Sequence, residues 1–255
     1  MPLLAITRDI SPAIDRCELT HLDRAPIDLA KARAEHAAYE DMLRQLGCRV
    51  QRLLAGPDMP DSAFIEDTAL VLDELAVITR PGAESRRGET AAVAQALRGL
   101  RPVAAILAPG TLDGGDILRI GQRLYVGRGH RSNDAGIAQL RAIVSSQGYA
   151  VHPVDFGKCL HLKTAASLVA EDLMLVNPEW VDAAVFGDMR VIDVDPAEPF
   201  AANALRIGES VVYPVEHART AARLEAAGID VRRVPTGELA KAESAVTCWS
   251  LVLRA

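Results

Sequence analysis

The 255-residue sequence lacks several features that would place it in a broad functional class. It contains no Lys- or Arg-rich run and its formal net charge is −6 at pH 7, which excludes non-specific nucleic-acid binding through clustered cations. No apolar run approaches the roughly 20 residues that a membrane-spanning helix needs. The first residues, MPLLAITRDI, have no basic segment ahead of an apolar stretch, so we expect no secretory signal peptide here.

The four cysteines are scattered along the chain. No C-x-x-C motif occurs, so the sequence favours neither a disulfide framework nor a structural zinc site, and we expect a reducing, cytoplasmic environment. Hydrophobic residues make up 49% of the chain, enough for a sizeable core. No linker, low-complexity tract or shift in composition interrupts the chain, so residues 1–255 are predicted to form a single domain. The cysteines are Cys17, Cys48, Cys159 and Cys248.

Helical patterns recur along the chain, and a glycine follows each of them. The predicted helices cover residues 27–46, 89–98, 132–147, 178–186 and 216–227, with Ser132 as the expected N-cap of the third. The following glycines are expected to end the helices in the left-handed conformation, which glycine adopts without steric cost. Each glycine precedes one short strand candidate and then two apolar strands around a polar turn. The glycines are Gly47, Gly99, Gly148, Gly187 and Gly228, at intervals of about 40–50 residues, which is typical of radial or solenoid repeats.

The two ends of the chain complete this repeat. Residues 3–8 (LLAITR) and 245–253 (AVTCWSLVL) each supply one strand of a pair that is missing from the interior. We therefore predict an α/β fold of five units, closed into a ring by pairing of the N- and C-terminal strands, which removes exposed sheet edges. A doubly wound α/β sheet also alternates strands and helices, but it needs only one strand per helix.

If the five units are equivalent, the first residues of their hairpin strands converge on the ring axis. A cysteine and a histidine there would supply a nucleophile and an acid/base. Carboxylates around them would attract a cationic substrate, and would raise the pKa of the cysteine until that cation arrives. The polar residues at these positions are Glu66, Asp67, Asp113, Asp116, His161, Lys163, Asn203, Glu243, Ser244 and Cys248.

Each of these residues also has a structural interpretation. Cys248 by itself is more typical of a small buried hydrophobe, and His161 of a hydrogen-bonded core histidine. The segment LDGGD is ordinary turn chemistry when taken alone. The shared position in the repeat, about 47 to 48 residues apart, therefore favours a functional site more than any single residue does.

Seven segments carry a more specific pattern. They are FIEDTALV, ITRPGAESRRGE, APGTLDGGDIL, YVGRGHRSN, LHLKTAASL, AANALRI and VTCWSLVL. These segments resemble the dimethylarginine dimethylaminohydrolases (dimethylargininases), in order over nearly the whole chain. The family belongs to the guanidine-modifying superfamily, together with arginine deiminases and amidinotransferases. The resemblance implies a five-bladed α/β propeller of ββαβ repeats, which agrees with the ring of five units.

The resemblance also implies an activity and a set of residues. Asymmetric dimethylarginine or monomethylarginine would be hydrolysed to citrulline and dimethylamine or methylamine. Cys248 matches the family nucleophile, His161 the general acid/base, and Asp113 the carboxylate beside that histidine. The implied substrate-binding residues are Asp67 on the guanidinium, Arg86 and Arg131 on the α-carboxylate, Glu66, Asp61, Phe64 and Ala242 in the pocket, and Leu19 in a mobile lid.

The resemblance implies that the protein needs no metal and no organic cofactor. The implied partner is a small guanidino amino acid, and neither nucleic acid nor a membrane is expected to bind. The resemblance allows a homodimer. The segment Ala242-Glu243-Ser244 departs from the larger aliphatic residue, Asp and Gly that are common in the family, so the exact substrate stays open. A deiminase or hydrolase of arginine or another guanidino acid, and a non-catalytic guanidino-metabolite binder, are the alternatives. Zinc binding by Cys248 and His161 has suitable residue types but no compact ligand spacing.

Overall fold

The computed structural model describes residues 3–254, which form five three-stranded β-sheets. The strands are β1 (Leu3–Arg8), β2 (Cys48–Leu53), β3 (Ala69–Val71), β4 (Ala76–Ile78), β5 (Val103–Ala105), β6 (Ile117–Ile120), β7 (Arg123–Arg128), β8 (Ala150–Asp155), β9 (Ala166–Ala170), β10 (Leu173–Val176), β11 (Arg190–Asp193), β12 (Leu205–Ile207), β13 (Ser210–Pro214), β14 (Asp230–Val234) and β15 (Leu251–Arg254). The α-helices are α1 (Leu29–Gln45), α2 (Thr90–Arg98), α3 (Asp134–Val144), α4 (Leu162–Ala165) and α5 (Ala218–Ala226).

Every sheet has the same connectivity. Two strands form an antiparallel hairpin, and the strand that follows the connecting segment returns to pair in parallel with the central strand, as in β6-β7-β8. The sheet order β15-β1-β2 joins the two ends of the chain: β1 is antiparallel to β15 and parallel to β2. The five-unit α/β architecture and the pairing of the terminal strands, both predicted from the repeat, are thereby confirmed.

The predicted helix boundaries are close for four of the five units. Helix α1 begins after Asp28, whose carboxylate accepts hydrogen bonds from the backbone N–H groups of Ala30 and Lys31. Gly47 follows its end at φ 86°, the left-handed conformation expected there. Gly99 is an exception, because at φ −79° it stays right-handed.

Two of the helix predictions are wrong in detail. The segment 178–186 forms an α-helix nowhere and holds only a 3-10 turn, Ala183–Phe186. Side chains before it bind local backbone groups instead: Asn177 accepts from the Glu179 N–H and Asp182 from the Ala184 N–H, which favours successive turns over a helix. The N-cap of α3 is Asn133 rather than Ser132, because the Asn133 side chain accepts from the Gly136 N–H.

The C-terminal segment that carries Cys248 is anchored to α1. Trp249 is fully buried and its ring meets the edge of Tyr39 with centroids 5.1 Å apart. The Tyr39 hydroxyl lies 2.6 Å from Ser250 Oγ, and Trp249 Nε1 donates to Ser244 Oγ at 3.1 Å. Residues 245–250 therefore form turns with fixed side chains, and the strand predicted over 245–253 begins only at Leu251.

The helices and sheets bury apolar side chains in clusters around the ring. Within residues 3–254, no helix has both the length and the apolar character that crossing a lipid bilayer requires. The cluster nearest the C-terminal segment joins α1, residues 10–17 and the sheet of β12, β13 and β14, and includes Cys17, Tyr39, Leu43, Val246 and Trp249.

Candidate active site

Three single helical turns lie within or directly after the segments that hold the polar residues of the site. The 3-10 turns Ile65–Thr68 and Gly114–Asp116 lead directly into β3 and β6, and α4 leads into β9. These residues were expected to be the first residues of the hairpin strands. The structure places them one turn earlier, so that Asp67, Asp113 and His161 are brought together.

Two adjacent glycines allow this close approach. A Cβ on Gly115 would lie 2.7 Å from His161 Nδ1 and 2.8 Å from Asp67 Oδ1, and a Cβ on Gly114 would lie 1.9 Å from the Glu66 carbonyl oxygen. The Gly115 N–H also donates to Asp67 Oδ1 at 2.9 Å. Close packing, rather than ordinary turn chemistry, thus explains the glycines of LDGGD.

His161 lies between two carboxylates. Its Nε2 is 3.0 Å from Asp113 Oδ2 and 3.8 Å from Asp67 Oδ1, and the three side chains are buried. Burial alone lowers the pKa of His161, but the negative charges of Asp67, Asp113 and Asp116 outweigh it and raise that pKa to about 9. The imidazole is therefore held protonated at neutral pH.

Asp116 supports this arrangement from behind. Its Oδ2 accepts from the Ser132 hydroxyl at 2.6 Å and its Oδ1 from the Leu162 N–H at 3.0 Å. Ser132 Oγ in turn accepts from the Asp113 N–H at 3.1 Å. Burial raises the pKa of Asp116 to about 7. The sequence predicted that Asp116 faces the axis, but nothing in it indicated this positioning role, because the partners come from three separate segments.

Cys248 lies on the wall of the same pocket and is 9% exposed. Its Sγ lies 3.5 Å from the Ala245 backbone nitrogen, which donates to it. Burial raises the pKa of the thiol, Glu66 and Asp67 raise it further, and the Ala245 N–H and Arg86 offset this only in part. The cysteine is therefore a neutral thiol until a positive charge arrives beside it.

The two predicted carboxylate-binding arginines differ in their contacts. Arg86 is buried and already serves protein acceptors: its Nη1 is 2.6 Å from Asp67 Oδ2 and its Nη2 2.9 Å from Glu89 Oε2. The pKa of Asp67 is raised by burial, yet His161 and Arg86 bring it below its usual range. Arg131 Nη1 is 3.5 Å from Asp113 Oδ2, outside hydrogen-bond geometry, and is buried without a hydrogen-bond partner among residues 3–254.

The pocket brings together eight of the eleven predicted site residues. Asp113 stands behind His161 and is fully buried. Leu19 packs against the apolar cluster of α1, whereas its neighbour Glu18, which was not predicted, faces the pocket. The pocket is lined by Glu18, Asp61, Phe64, Asp67, Arg86, Arg131, Leu160, His161, Ala242, Glu243, Ser244 and Cys248.

Glu66 lines a different cavity, of about 580 Å³. Its Oε1 is 2.6 Å from Lys163 Nζ, and its Oε2 accepts from the Thr247 hydroxyl at 2.7 Å. Asn203 donates to the same Thr247 Oγ1 at 3.0 Å. This network connects four of the five units directly beside Cys248. Glu66 therefore acts on the thiol through its charge while its oxygens are engaged elsewhere.

Residues 17–28, named the lid segment here after the predicted lid, lie beside the pocket and contribute Glu18 to its wall. The Glu18 N–H donates to both oxygens of Asp61 at 3.2 Å. The carboxylate of Glu243 accepts from three consecutive backbone amides, those of Thr20, His21 and Leu22. Glu243 holds this position with φ 53°, a left-handed conformation that is uncommon for a residue with a side chain. No sequence signal indicated this contact.

Asp67, Asp113 and His161 also have the composition of a metal site, with ligand atoms within 4.8 Å of one another. One observation favours a different use: Arg86 and Arg131 already direct positive charge at these carboxylates. The arrangement therefore fits an organic cation better than a metal ion, and the absence of a metal cofactor stays a prediction.

Known proteins resemble the chain in sequence and in structure. A family model described as arginine deiminase matches residues 56–201. The N(G),N(G)-dimethylarginine dimethylaminohydrolase of Pseudomonas aeruginosa is 37% identical over 242 residues, covering 93% of this chain and 94% of its own. The enzyme of the same name from Streptomyces coelicolor is 37% identical, covering 98% of this chain and 96% of its own.

A solved structure gives the same result. The P. aeruginosa dimethylarginine dimethylaminohydrolase, as a cysteine-to-serine mutant complexed with citrulline, superposes with a TM-score of 0.95 at 34% identity, covering 99% of this chain and 100% of that one. The five-unit fold, the sequence matches and the resemblance of the seven motifs agree. The chain therefore belongs to the dimethylarginine dimethylaminohydrolase branch of the arginine deiminase family.

Proposed function

We propose that this protein hydrolyses Nω-methylated arginines, asymmetric dimethylarginine and monomethylarginine, to citrulline and dimethylamine or methylamine. One observation carries the proposal: Cys248 and His161 line a pocket that has carboxylates for a cation and, on Arg131, a buried guanidinium nitrogen with no hydrogen-bond partner among residues 3–254. The names of the relatives at 37% identity support the same activity.

The two charged groups of a methylarginine match the two kinds of residue in the pocket. Asp67, held ionised by Arg86, can accept N–H bonds from the guanidinium. Arg131 Nη1 can donate to the α-carboxylate, and Asp61, whose pKa burial raises, can accept from the α-ammonium group. Since a guanidinium carbon is a poor electrophile, fixing its plane against Cys248 is the main contribution of these contacts.

The cationic substrate also prepares the nucleophile. The carboxylates that keep Cys248 protonated in the free protein are neutralised when the guanidinium binds, so the thiolate becomes accessible. The chemistry then follows the two-step pattern of a covalent nucleophile. A C–S bond forms, the C–N bond to the methylated nitrogen breaks, and His161 gives that nitrogen the proton with which the amine departs.

The second step returns the enzyme to its starting state. His161, now neutral, removes a proton from water, whose oxygen attacks the carbon of the Cys248 thiouronium intermediate. The C–O bond forms, the C–S bond breaks, and citrulline is released as the remaining hydroxyl proton passes to Cys248 Sγ, where it replaces the thiol proton lost to solvent when the substrate bound. The His161–Asp113 contact keeps the imidazole oriented in both steps. No metal or organic cofactor enters this scheme.

Location and assembly stay predictions. All four cysteines are buried and unpaired, which supports a reducing, cytoplasmic setting. A single domain and a homodimer also remain proposals, which size measurements in solution and limited proteolysis would test.

The test offers the purified protein asymmetric dimethylarginine, monomethylarginine, arginine and agmatine separately. We expect citrulline and the matching amine from the first two, and no citrulline from Cys248→Ser, whose thermal unfolding serves as the folding control. Turnover of arginine alone would make the protein a deiminase. Binding of methylarginine without any product would make it a guanidino-metabolite binder.

A further inference from the structure

We propose that a cavity next to Cys248 is a subsite for an apolar substituent on the leaving nitrogen, so that Nω-alkylarginines with groups larger than methyl are substrates. The proposal rests on the proposed hydrolysis and extends it to a wider substrate class. The cavity has a volume of about 220 Å³ and is separate from the pocket that holds Asp67 and Arg131.

The two spaces meet at the nucleophile. Leu160, Glu243, Ser244 and Cys248 line both of them. From this shared wall the cavity extends away from Asp67, towards the ends of β13 and β14 and residues 21 and 22 of the lid segment. Its far side is formed by Leu22, Phe200, Pro214, His217 and Ala240.

Four of the polar side chains that line the cavity are already engaged by the protein, whereas His21, Thr164 and His217 have no side-chain hydrogen bond within residues 3–254, and the accessible lining is mainly apolar. The Asn203 amide bonds the Lys163 carbonyl and Thr247, the Thr236 hydroxyl donates to Glu216, and the Ser244 hydroxyl donates to the Leu239 carbonyl. The carboxylate of Glu243 is occupied by the lid amides. A charged or polar substituent would therefore find few hydrogen-bond partners in the cavity. An apolar substituent needs none, so it loses no hydrogen bond on entering.

The bonding preferences of the guanidinium determine which nitrogen faces the cavity. A carboxylate binds N–H groups, and an alkylated nitrogen has one N–H or none where the unsubstituted nitrogen has two, so the unsubstituted nitrogen should face Asp67. The alkylated nitrogen is then turned towards the remaining wall. The guanidinium carbon must lie close to Cys248 Sγ for attack. The substituent on the alkylated nitrogen therefore points to the boundary between the pocket and the cavity, which Leu160 and Ser244 form.

The size of the cavity fits such a group. An apolar cavity of roughly 150 Å³ can hold a benzene molecule, so about 220 Å³ accommodates a propyl, butyl or benzyl substituent. Each methylene group removed from water strengthens the contact by roughly fourfold. The reaction itself is unchanged: water and the Nω-alkylarginine give citrulline and the primary alkylamine.

The test compares kcat/KM for monomethyl-, propyl- and benzylarginine by citrulline formation, in the wild type and in two variants. Ala240→Phe fills the cavity, and Ala222→Phe makes the same change on the exposed face of α5. We expect the wild type and Ala222→Phe to hydrolyse propylarginine within about tenfold of monomethylarginine. Ala240→Phe should lose at least about tenfold on propyl- and benzylarginine and keep monomethylarginine within about threefold.

The failures can be told apart. If monomethylarginine is hydrolysed but the larger substrates are neither hydrolysed nor competitive inhibitors, the subsite is wrong and the proposed function stands. If no methylated arginine is hydrolysed, the proposed function is wrong. The subsite is then judged by calorimetric binding of propylarginine to the wild type, where weakening by Ala240→Phe but not by Ala222→Phe supports it and equal affinity overturns it.

Discussion

His161 Nε2 lies 3.0 Å from Asp113 Oδ2, and both side chains are buried. The contact joins two units of the ring, 48 residues apart in sequence, at the point where Gly115 removes the Cβ that would otherwise collide with the imidazole. The contact keeps the imidazole protonated at neutral pH, which is the state that a general acid needs in order to protonate a leaving amine. The same contact links proton binding to stability.

The free energy of unfolding should depend on pH through His161. Its folded-state pKa of about 9 exceeds the value of 6.5 for an unperturbed histidine, so its stabilising contribution is complete below about pH 6.5 and is lost as the pH rises through 9. The contribution is at most about 3 kcal/mol. We expect urea unfolding to show the wild type losing its stability advantage over His161→Asn between pH 7 and 9.5.

The comparison with His161→Asn isolates this histidine, because the buried cysteines, whose pKa values are also raised, titrate in both proteins. Asp116, with its raised pKa of about 7, contributes stability that is lost as the pH rises from about 4 towards 7, so it has little effect on the alkaline side. A constant difference between wild type and His161→Asn from pH 7 to 9.5 would show that the imidazole is not held protonated.

Arg131 is expected to anchor the α-carboxylate. Removing its unpartnered nitrogen in Arg131→Ala should raise KM for monomethylarginine by about 10- to 100-fold, since hydrogen bonds to charged groups contribute about 1.5–3 kcal/mol. The kcat value should change by only a few-fold. Steady-state citrulline assays measure both constants.

The matched control is Arg87→Ala, whose guanidinium pairs with Glu84 at the surface. Agmatine, which lacks the carboxylate, should bind wild type and Arg131→Ala equally. A loss confined to kcat, with KM unchanged, would contradict the anchoring role.

Glu243 should hold the lid closed over bound substrate. In Glu243→Gln the charge-assisted bonds to the amides of residues 20–22 weaken. Hydrogen exchange of the peptide covering these residues should become at least about tenfold faster, and KM should rise more than kcat falls. Glu209→Gln, an exposed carboxylate beside Arg206, is the control. Unchanged hydrogen exchange in Glu243→Gln would show that the Glu243 carboxylate does not hold the lid segment in place.

Catalysis should not require a metal ion. The cluster of Asp67, Asp113 and His161 offers ligand atoms. The protonated imidazole and the guanidinium groups of Arg86 and Arg131, however, already supply positive charge beside its carboxylates. Dialysis against EDTA, with metal content followed by atomic emission, should leave citrulline formation unchanged. Loss of activity that one added divalent metal restores would assign the cluster to a metal instead.

Much of the fold was predictable because it repeats. The spacing of helices, glycines and strand pairs predicted five units, and the strand candidates at residues 3–8 and 245–253 predicted the closing pair. The failures are local. In 178–186 and at Ser132, a neighbouring side chain competes for the backbone amides, and the outcome depends on contacts that periodicity does not encode.

The site was predictable to the extent that it follows the repeat. Asp67, Asp113 and His161 occupy similar positions in the repeat, just ahead of β3, β6 and β9, so their convergence could be predicted from the repeat. The orientation of Glu66 towards Lys163 and the contact between Glu243 and Thr20, 223 residues apart, depend on the folded ring. Their residue types are equally suited to a solvated surface, so the sequence holds no signal for either contact.

Rapid chemical quench followed by mass spectrometry of the peptide containing Cys248 tests the central claim most directly. The amine leaves before hydrolysis, so asymmetric dimethylarginine and monomethylarginine should give an adduct of identical mass on Cys248. That adduct should appear before citrulline and be absent from Cys248→Ser. Citrulline formed without an adduct, or an adduct that retains the methyl groups, would contradict nucleophilic attack by Cys248.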